Sequence, residues 1–263
     1  ILAGSEQPGG ATCLFPIIKQ LRQHSHIRVE LLGCQHSAEV FRYNHVSFTD
    51  LGSQAVSDEV VQDLVIQNQP DLILTGIVGP IETGLDYRLI RAARKERVLN
   101  CGILDAWMNY RSRFADPQMG GDLVYLPDRV GVMDRVTIEE MVAEKIPLEH
   151  LSVTGHPFLS VVREKSRNEE AIIENRNSLG ISSDEKLIIF VSEPIRFFYQ
   201  GDSEHPGYDE FAAFSLACEA IAQLNEPHAL IVKEHPRHSS LEVRDSYGNT
   251  RAIKNPQMDA LDL

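Results

Sequence analysis

The feature that most constrains this chain is its alternation. Short runs rich in β-branched residues alternate with longer segments whose apolar residues recur every three or four positions. That rhythm marks βαβ units around a parallel sheet. Residues 1–4 read as a first strand. A Gly/Pro turn and a helix through Leu14, Ile17, Ile18 and Leu21 follow it. Further strands are expected at 27–34, 45–48, 71–75 and 98–104, with helices over 56–67 and 86–97. A polar, loop-like stretch, 108–128, contains an expected strand at 123–125. Strands at 130–133 and 152–154 flank a helix over 136–144. A charged helical connector, 166–181, leads to a second series: a strand at 186–191, a helix over 208–224 and strands at 228–232 and 251–253. The expected fold class is therefore α/β, with two Rossmann-like βαβ domains. The first spans 1–157. The second, 158–263, shows only two or three strands, fewer than a self-sufficient doubly wound sheet has.

Composition narrows the partners. The chain has 263 residues and a formal net charge of −13, which argues against nucleic acid as a main partner. A local basic pocket for one small anionic ligand remains compatible with it. Cys13, Cys34, Cys101 and Cys218 are scattered, without a CxxC pair. That argues against a zinc site or a disulfide framework and favours a reducing, cytosolic setting. No apolar run approaches 18 residues, so no spanning helix is expected. Peripheral membrane contact stays open.

The chemistry-bearing residues cluster at the carboxyl ends of expected strands, where open α/β sheets bind ligands. The first such loop is Gly4-Ser5-Glu6-Gln7-Pro8-Gly9-Gly10. Its glycines let a ligand approach the backbone, and the following helix offers free N–H groups to an anion. It is neither GxGxxG nor a Walker A loop. The second, Thr75-Gly76-Ile77-Val78-Gly79-Pro80-Ile81-Glu82-Thr83-Gly84, carries three glycines, and Gly76 opens it. It reads either as a ligand-facing surface or as a generous surface loop. The third is Asp105-Ala106-Trp107-Met108-Asn109-Tyr110-Arg111. Asp105 is placed to act as a general base, and Trp107 or Tyr110 to stack on a sugar or base. Arg88, Arg91 and Lys95 share one helix face, which suits solvent or an anionic surface.

Gly155-His156-Pro157 closes the first domain as a hinge, with His156 a candidate for the cleft. In the second domain, Ser192-Glu193-Pro194-Ile195-Arg196 follows one strand and Lys233-Glu234-His235-Pro236-Arg237 follows the next. Two neighbouring strands thus bring Ser192, Arg196, Lys233, His235 and Arg237 to one rim, a set suited to a phosphate or diphosphate.

These motifs, in this order, resemble the GT-B fold of nucleotide-sugar glycosyltransferases. More specifically, they resemble the non-hydrolysing UDP-N-acetylglucosamine 2-epimerases and their GT-B relatives. Gly4-Ser5-Glu6-Gln7-Pro8 stands where that family has Gly-Thr-Arg-Pro-Glu. Val153-Thr154-Gly155-His156 stands for its Val-Thr-Gly-Asn hinge, and His235-Pro236 matches its His-Pro motif. Asp105-Ala106 keeps an acid and a small residue from its His-Val-Glu-Ala-Gly motif, without the His. Thr75-Gly76-Ile77-Val78 keeps only the glycine of its Gly-Asp-Thr loop, and its Arg-Glu-Asn element is absent. The Lys-x-His-Pro form is also similar to capsule and teichoic-acid transferases.

The resemblance implies glycosyl transfer from a nucleotide-activated donor to a carbohydrate or lipid-linked acceptor, with envelope polysaccharide synthesis as the setting. Asp105 or Glu6 would be the catalytic base. Ser192, Arg196, Lys233, His235 and Arg237 would hold the donor diphosphate, and Gly9, Gly10, Gly76, Trp107 and His156 would line the acceptor side. No cofactor or metal is implied. The alternatives are a sugar-nucleotide 2-epimerase and a non-catalytic binding module. Both chain ends read as cut, since residues 1–4 already look like the inside of a strand and 259–263 like a helix start; the resemblance implies about 80–120 further residues completing the second domain.

Overall fold

The runs Leu2–Ser5 and Leu72–Ile77 are buried on both faces, and the sheet they join is parallel. A computed structural model describes residues 1–53, 56–78, 84–116, 121–199, 206–235 and 241–254. The chain divides into two compact units, Ile1–Val161 and Val162–Leu263.

The first unit holds β1 (Leu2–Ser5), α1 (Pro8–Leu21), β2 (Glu30–Gly33), α2 (Gln35–Tyr43), β3 (Thr49–Asp50), α3 (Asp58–Asn68) and β4 (Leu72–Ile77). It continues through α4 (Leu85–Glu96), β5 (Leu99–Leu104), β6 (Arg129–Val132), α5 (Arg135–Ala143) and β7 (Leu151–Val153). Its seven strands run in the order β3-β2-β1-β4-β5-β6-β7, and every pairing is parallel. The connection from β3 across to β4 makes β1 and β4 neighbours, so the strand order reverses between them. That switch is where a crevice opens at the carboxyl ends of the strands. One face of the sheet packs on α1 through Leu14, Phe15 and Ile18. The other packs on α3 and α4 through Val61, Val65, Leu85 and Leu89. Each such fully buried side chain contributes roughly 1.5–3 kcal/mol.

The second unit holds α7 (Glu169–Ser178), β8 (Lys186–Val191), α8 (Ile195–Phe198), α9 (Glu210–Ile221), β9 (His228–Lys233), β10 (Ser246–Tyr247) and β11 (Thr250–Lys254). α6 (Pro157–Lys165) spans the junction between the units. Its four strands run β10-β11-β9-β8, parallel except for the β10–β11 hairpin. Phe214, Cys218 and Ile221 of α9 cover one face at Leu230 and Val232. Ile181 covers the other at Ala229 and Ile231.

The structure departs from the sequence expectations at several places. The third strand is Thr49–Asp50 rather than 45–48, because His45 is left-handed (φ 53°) and closes α2. Residues 123–125 turn instead of pairing: Tyr125 N–H bonds Phe114 O, and the Arg94 guanidinium takes the carbonyls of Val124 and Leu126. The connector, 166–181, holds one helix, α7, which the Asn168 side chain starts by accepting from Ala171 N–H, and an unexpected helix, α6, precedes it. Helix α2 was not anticipated: Ser37, at its third residue, accepts from Cys34 N–H and so serves the helix start from inside it.

Candidate functional site

The β1–α1 loop is held in three directions at Glu6. Its N–H donates to Asp86 Oδ2 (3.0 Å), its carbonyl accepts from Ser37 N–H (3.0 Å), and its Oε2 accepts from Leu85 N–H (2.9 Å). Glu6 is 7% exposed, and its carboxylate fills the role of a side-chain cap for α4, whose own N-cap is Gly84. Sequence reasoning placed Glu6 among the candidate bases; the structure gives one of its oxygens a helix start to satisfy.

Pro8 occupies the first turn of α1, where a missing N–H costs nothing. Gly9 and Gly10 follow because no side chain fits there. A β-carbon on Gly10 would meet Ser5 Oγ and the backbone of Gly76, and one on Gly76 would meet the backbone of Gly10. A β-carbon on Gly9 would collide with Asp105 Oδ2. The glycines therefore bring the start of α1 against the carboxyl ends of β4 and β5. Asp105 sits one residue past β5, at the positive end of that helix.

Asp105 is paired with Arg113. Its Oδ1 takes a bond from Nη1 at 2.5 Å, with the side chains 12% and 6% exposed. The same guanidinium donates to Ile77 O (2.9 Å) and Met108 O (3.0 Å), so one fork ties β4, the loop after β5 and the carboxylate together. His156 packs on the other side, its Nε2 lying 3.1 Å from Asp105 O and 3.8 Å from Cys13 Sγ. Facing a carbonyl, Nε2 is the nitrogen that carries hydrogen. Nδ1 is then a buried acceptor without a partner among the described residues. Burial, and then the Asp105 charge, push the Cys13 thiol up to about 12, so it is a neutral wall and not a nucleophile.

Trp107 stacks on His156 with centroids 5.5 Å apart and planes 14° off parallel. Its indole N–H donates to Asp134 Oδ2 at 2.8 Å, and Asp134 Oδ1 caps α5 at Thr137 N–H. Those bonds, the cap first, hold the Asp134 carboxyl below the usual range. Trp107 is 47% exposed, whereas Tyr110 is buried and bonded to Glu140. Of the two aromatics the sequence offered, only Trp107 presents surface for stacking.

In the second unit, parallel register sets Val191 beside Lys233, which brings Ser192 and the residues after Lys233 to one end of the sheet. Ser192 N–H bonds Lys233 O at 2.8 Å. Its hydroxyl is buried without a hydrogen-bond partner among the described residues. Glu234 accepts from Leu241 N–H (2.7 Å) and pairs with Lys254 (3.5 Å). Arg196 is engaged elsewhere: it pairs with Asp209 at 2.6 Å, lies over the Phe211 ring at 4.5 Å and lines a cleft of about 730 Å³ with Phe214, Arg244 and Tyr247. Pro236 and Arg237 lie outside the described residues, as do 79–83 of the second loop and 259–263.

Arg88 and Arg91 both pair with Asp58 of α3. These bonds lower the Asp58 carboxyl against the cost of its partial burial, and they turn the basic helix face inward to a neighbouring acid. Sequence reasoning missed Arg113, Asp134 and Asp86. Asp134 was legible as an N-cap ahead of an apolar-periodic stretch. Arg113 carried no local signal, since its partners come from β4 and β5. Among the described residues no group of three or more His, Cys, Asp and Glu is placed to hold a metal ion, and no helix is long and apolar enough to cross a membrane.

No family model matches the chain. No curated protein matches it in sequence. Solved structures do match. UDP-GlcNAc 2-epimerase from Neisseria meningitidis, bound to UDP-GlcNAc, is 16% identical with a TM-score of 0.65 over 99% of this chain and 73% of its own. A putative UDP-N-acetylglucosamine 2-epimerase from Listeria monocytogenes is 15% identical, at 0.65 over 100% and 70%. The Methanocaldococcus jannaschii UDP-GlcNAc 2-epimerase, in complex with UDP-GlcNAc and UDP, is 12% identical, at 0.58 over 99% and 74%. At these identities the likeness is one of fold: two Rossmann-like α/β units of the GT-B type, as in the 2-epimerases.

Proposed function

We propose that the chain belongs to a UDP-sugar-handling enzyme that epimerises an N-acetylhexosamine at C2, with Asp105 as an acid/base group. Inverting that carbon requires a proton to leave one face of the sugar and another to arrive on the opposite face. Asp105 suits one of those roles: Arg113 fixes Oδ1, while Oδ2 sits at the α1 start where Gly9 leaves room. Lys233, His235 and Arg237, with the Ser192 hydroxyl, would hold the diphosphate, and Trp107 would offer its face to a ring. His156 Nδ1 would accept from a sugar hydroxyl.

The observation that carries this reading is the match over nearly the whole chain to 2-epimerase structures, two of the three named being solved with UDP-GlcNAc. It favours isomerisation over the glycosyl transfer that the Lys-x-His-Pro segment first suggested. The test is to incubate the full-length protein with UDP-GlcNAc, without any acceptor, and resolve the products by chromatography. Appearance of the C2 epimer is the expected result. Turnover only when a carbohydrate acceptor is added would restore the transferase reading, and binding without turnover would leave a non-catalytic module.

A further inference from the structure

Two carboxyl groups meet, buried, where the first loop joins helix α4. Asp86 is 4% exposed and Glu6 7%. They are cross-tied: Glu6 Oε2 takes the Leu85 N–H, and Asp86 Oδ2 takes the Glu6 N–H. Asp86 Oδ1 is buried without a hydrogen-bond partner among the described residues. Two adjacent buried carboxylates without a cation are too costly to keep both charged. The positive end of α4 offsets one of them. Asp86 is the one to stay protonated, because its ionised form would leave Oδ1 a bare buried anion.

Among the described residues no facing group supplies the missing positive charge. From the loop come Glu6 and the Ser5 hydroxyl. From the end of β2 comes Cys34, whose thiol is pushed up to about 12, by burial first and then by Glu6, Asp86 and Asp50, and stays neutral. On α4 itself, Tyr87 Oη bonds the carbonyls of Val78 and Arg113, and Arg88 pairs with Asp58 of α3. Arg113 is committed to Asp105. Burial, reinforced by the Glu6 charge, pushes the Asp86 carboxyl up to about 7 against the bond from Glu6 N–H.

We propose that the Glu6–Asp86 pair is a proton-operated latch: with Asp86 protonated it ties the β1–α1 loop to the start of α4, and on losing that proton it releases the loop. The loop carries Gly9 and Gly10, so the latch sets how firmly α1 is held against Asp105. This inference does not depend on which ligand the unit binds.

The test is hydrogen exchange of the Glu6 and Leu85 amides in the full-length protein, expressed as protection factors at about pH 6 and about pH 8.5, on either side of neutrality. Wild type is expected to lose about tenfold or more of that protection across the interval, while Asp86→Asn, which keeps the acceptor and cannot ionise, loses none. Unchanged protection in wild type, or an equal loss in the variant, would overturn the latch. An infrared measurement covers a variant that fails to fold. Wild type should show a protonated carboxylic acid band at the lower pH that vanishes at the higher. Glu6→Gln, which removes the like charge, should move its midpoint down. Absence of the band at the lower pH overturns the proposal as well.

Discussion

Asp105 and Arg113 meet through a 2.5 Å bond between Oδ1 and Nη1, with both side chains almost wholly withdrawn from water. A buried pair of this kind adds little to stability by itself, but removing one partner strands the other. Arg113→Ala should therefore destabilise the first unit by about 3–5 kcal/mol in urea unfolding. Arg113→Lys keeps the charge but loses the fork that also holds the Ile77 and Met108 carbonyls. It should unfold earlier than wild type and lower turnover more than substrate affinity, since the carboxylate stays but its aim is lost.

Gly10→Ala tests the close approach of α1 to β4. The new methyl would meet Ser5 Oγ, Val78 Cγ2 and the Gly76 backbone, the last of which cannot swing away. A loss of about 1–3 kcal/mol is expected in thermal or urea unfolding. By contrast, Gly121→Ala, where a β-carbon meets nothing within 4 Å among the described residues but φ is +82°, should cost the backbone strain of the left-handed region, about 1 kcal/mol.

Trp107→Ala should weaken nucleotide-sugar binding by about 1–3 kcal/mol, read by calorimetry, if its exposed face carries a ring of the ligand. Its effect on unfolding should be small, because half of the indole surface already faces water. Trp107→Phe keeps a face for stacking and loses the bond to Asp134, so it should retain most of the affinity.

Asp86 gives a signed pH dependence. Its carboxyl stands near 7 in the fold, against about 4 in an unfolded chain. Between those values the folded state holds a proton that the unfolded state has lost. Stability is then highest below the unfolded value and falls as pH rises to about 7, beyond which this group adds no slope. Asp86→Asn should flatten that part of the curve and raise the melting temperature above neutral pH. A variant curve parallel to wild type would contradict the assignment.

The strand–helix rhythm was legible where strands are largely apolar runs, as at Leu72–Ile77 and His228–Lys233, and where helices carry an apolar stripe, as at Leu85–Glu96. Lys186–Val191 is the expected strand without adjustment. The third strand was not legible, since two exposed residues, Thr49 and Asp50, carry no pattern. Within the site, Asp105 and Trp107 stood out as an acid and an aromatic just past a strand end. The duties of Glu6 and Arg196 did not, because their partners lie far along the chain: Leu85 and Asp86 for one, Asp209 and Phe211 for the other. A charged residue in a loop looks alike in sequence whether it faces a ligand or a helix start.

The most direct test of the account is proton exchange at C2 of UDP-GlcNAc in deuterated water, followed by NMR for the wild-type full-length protein and for Asp105→Asn. The account predicts deuterium at C2 together with the C2 epimer in wild type, and a loss of both of at least about 10²-fold in the variant. Wild-type protein that binds the nucleotide sugar without exchanging that proton, or an Asp105→Asn variant that exchanges it as fast as wild type, would contradict it.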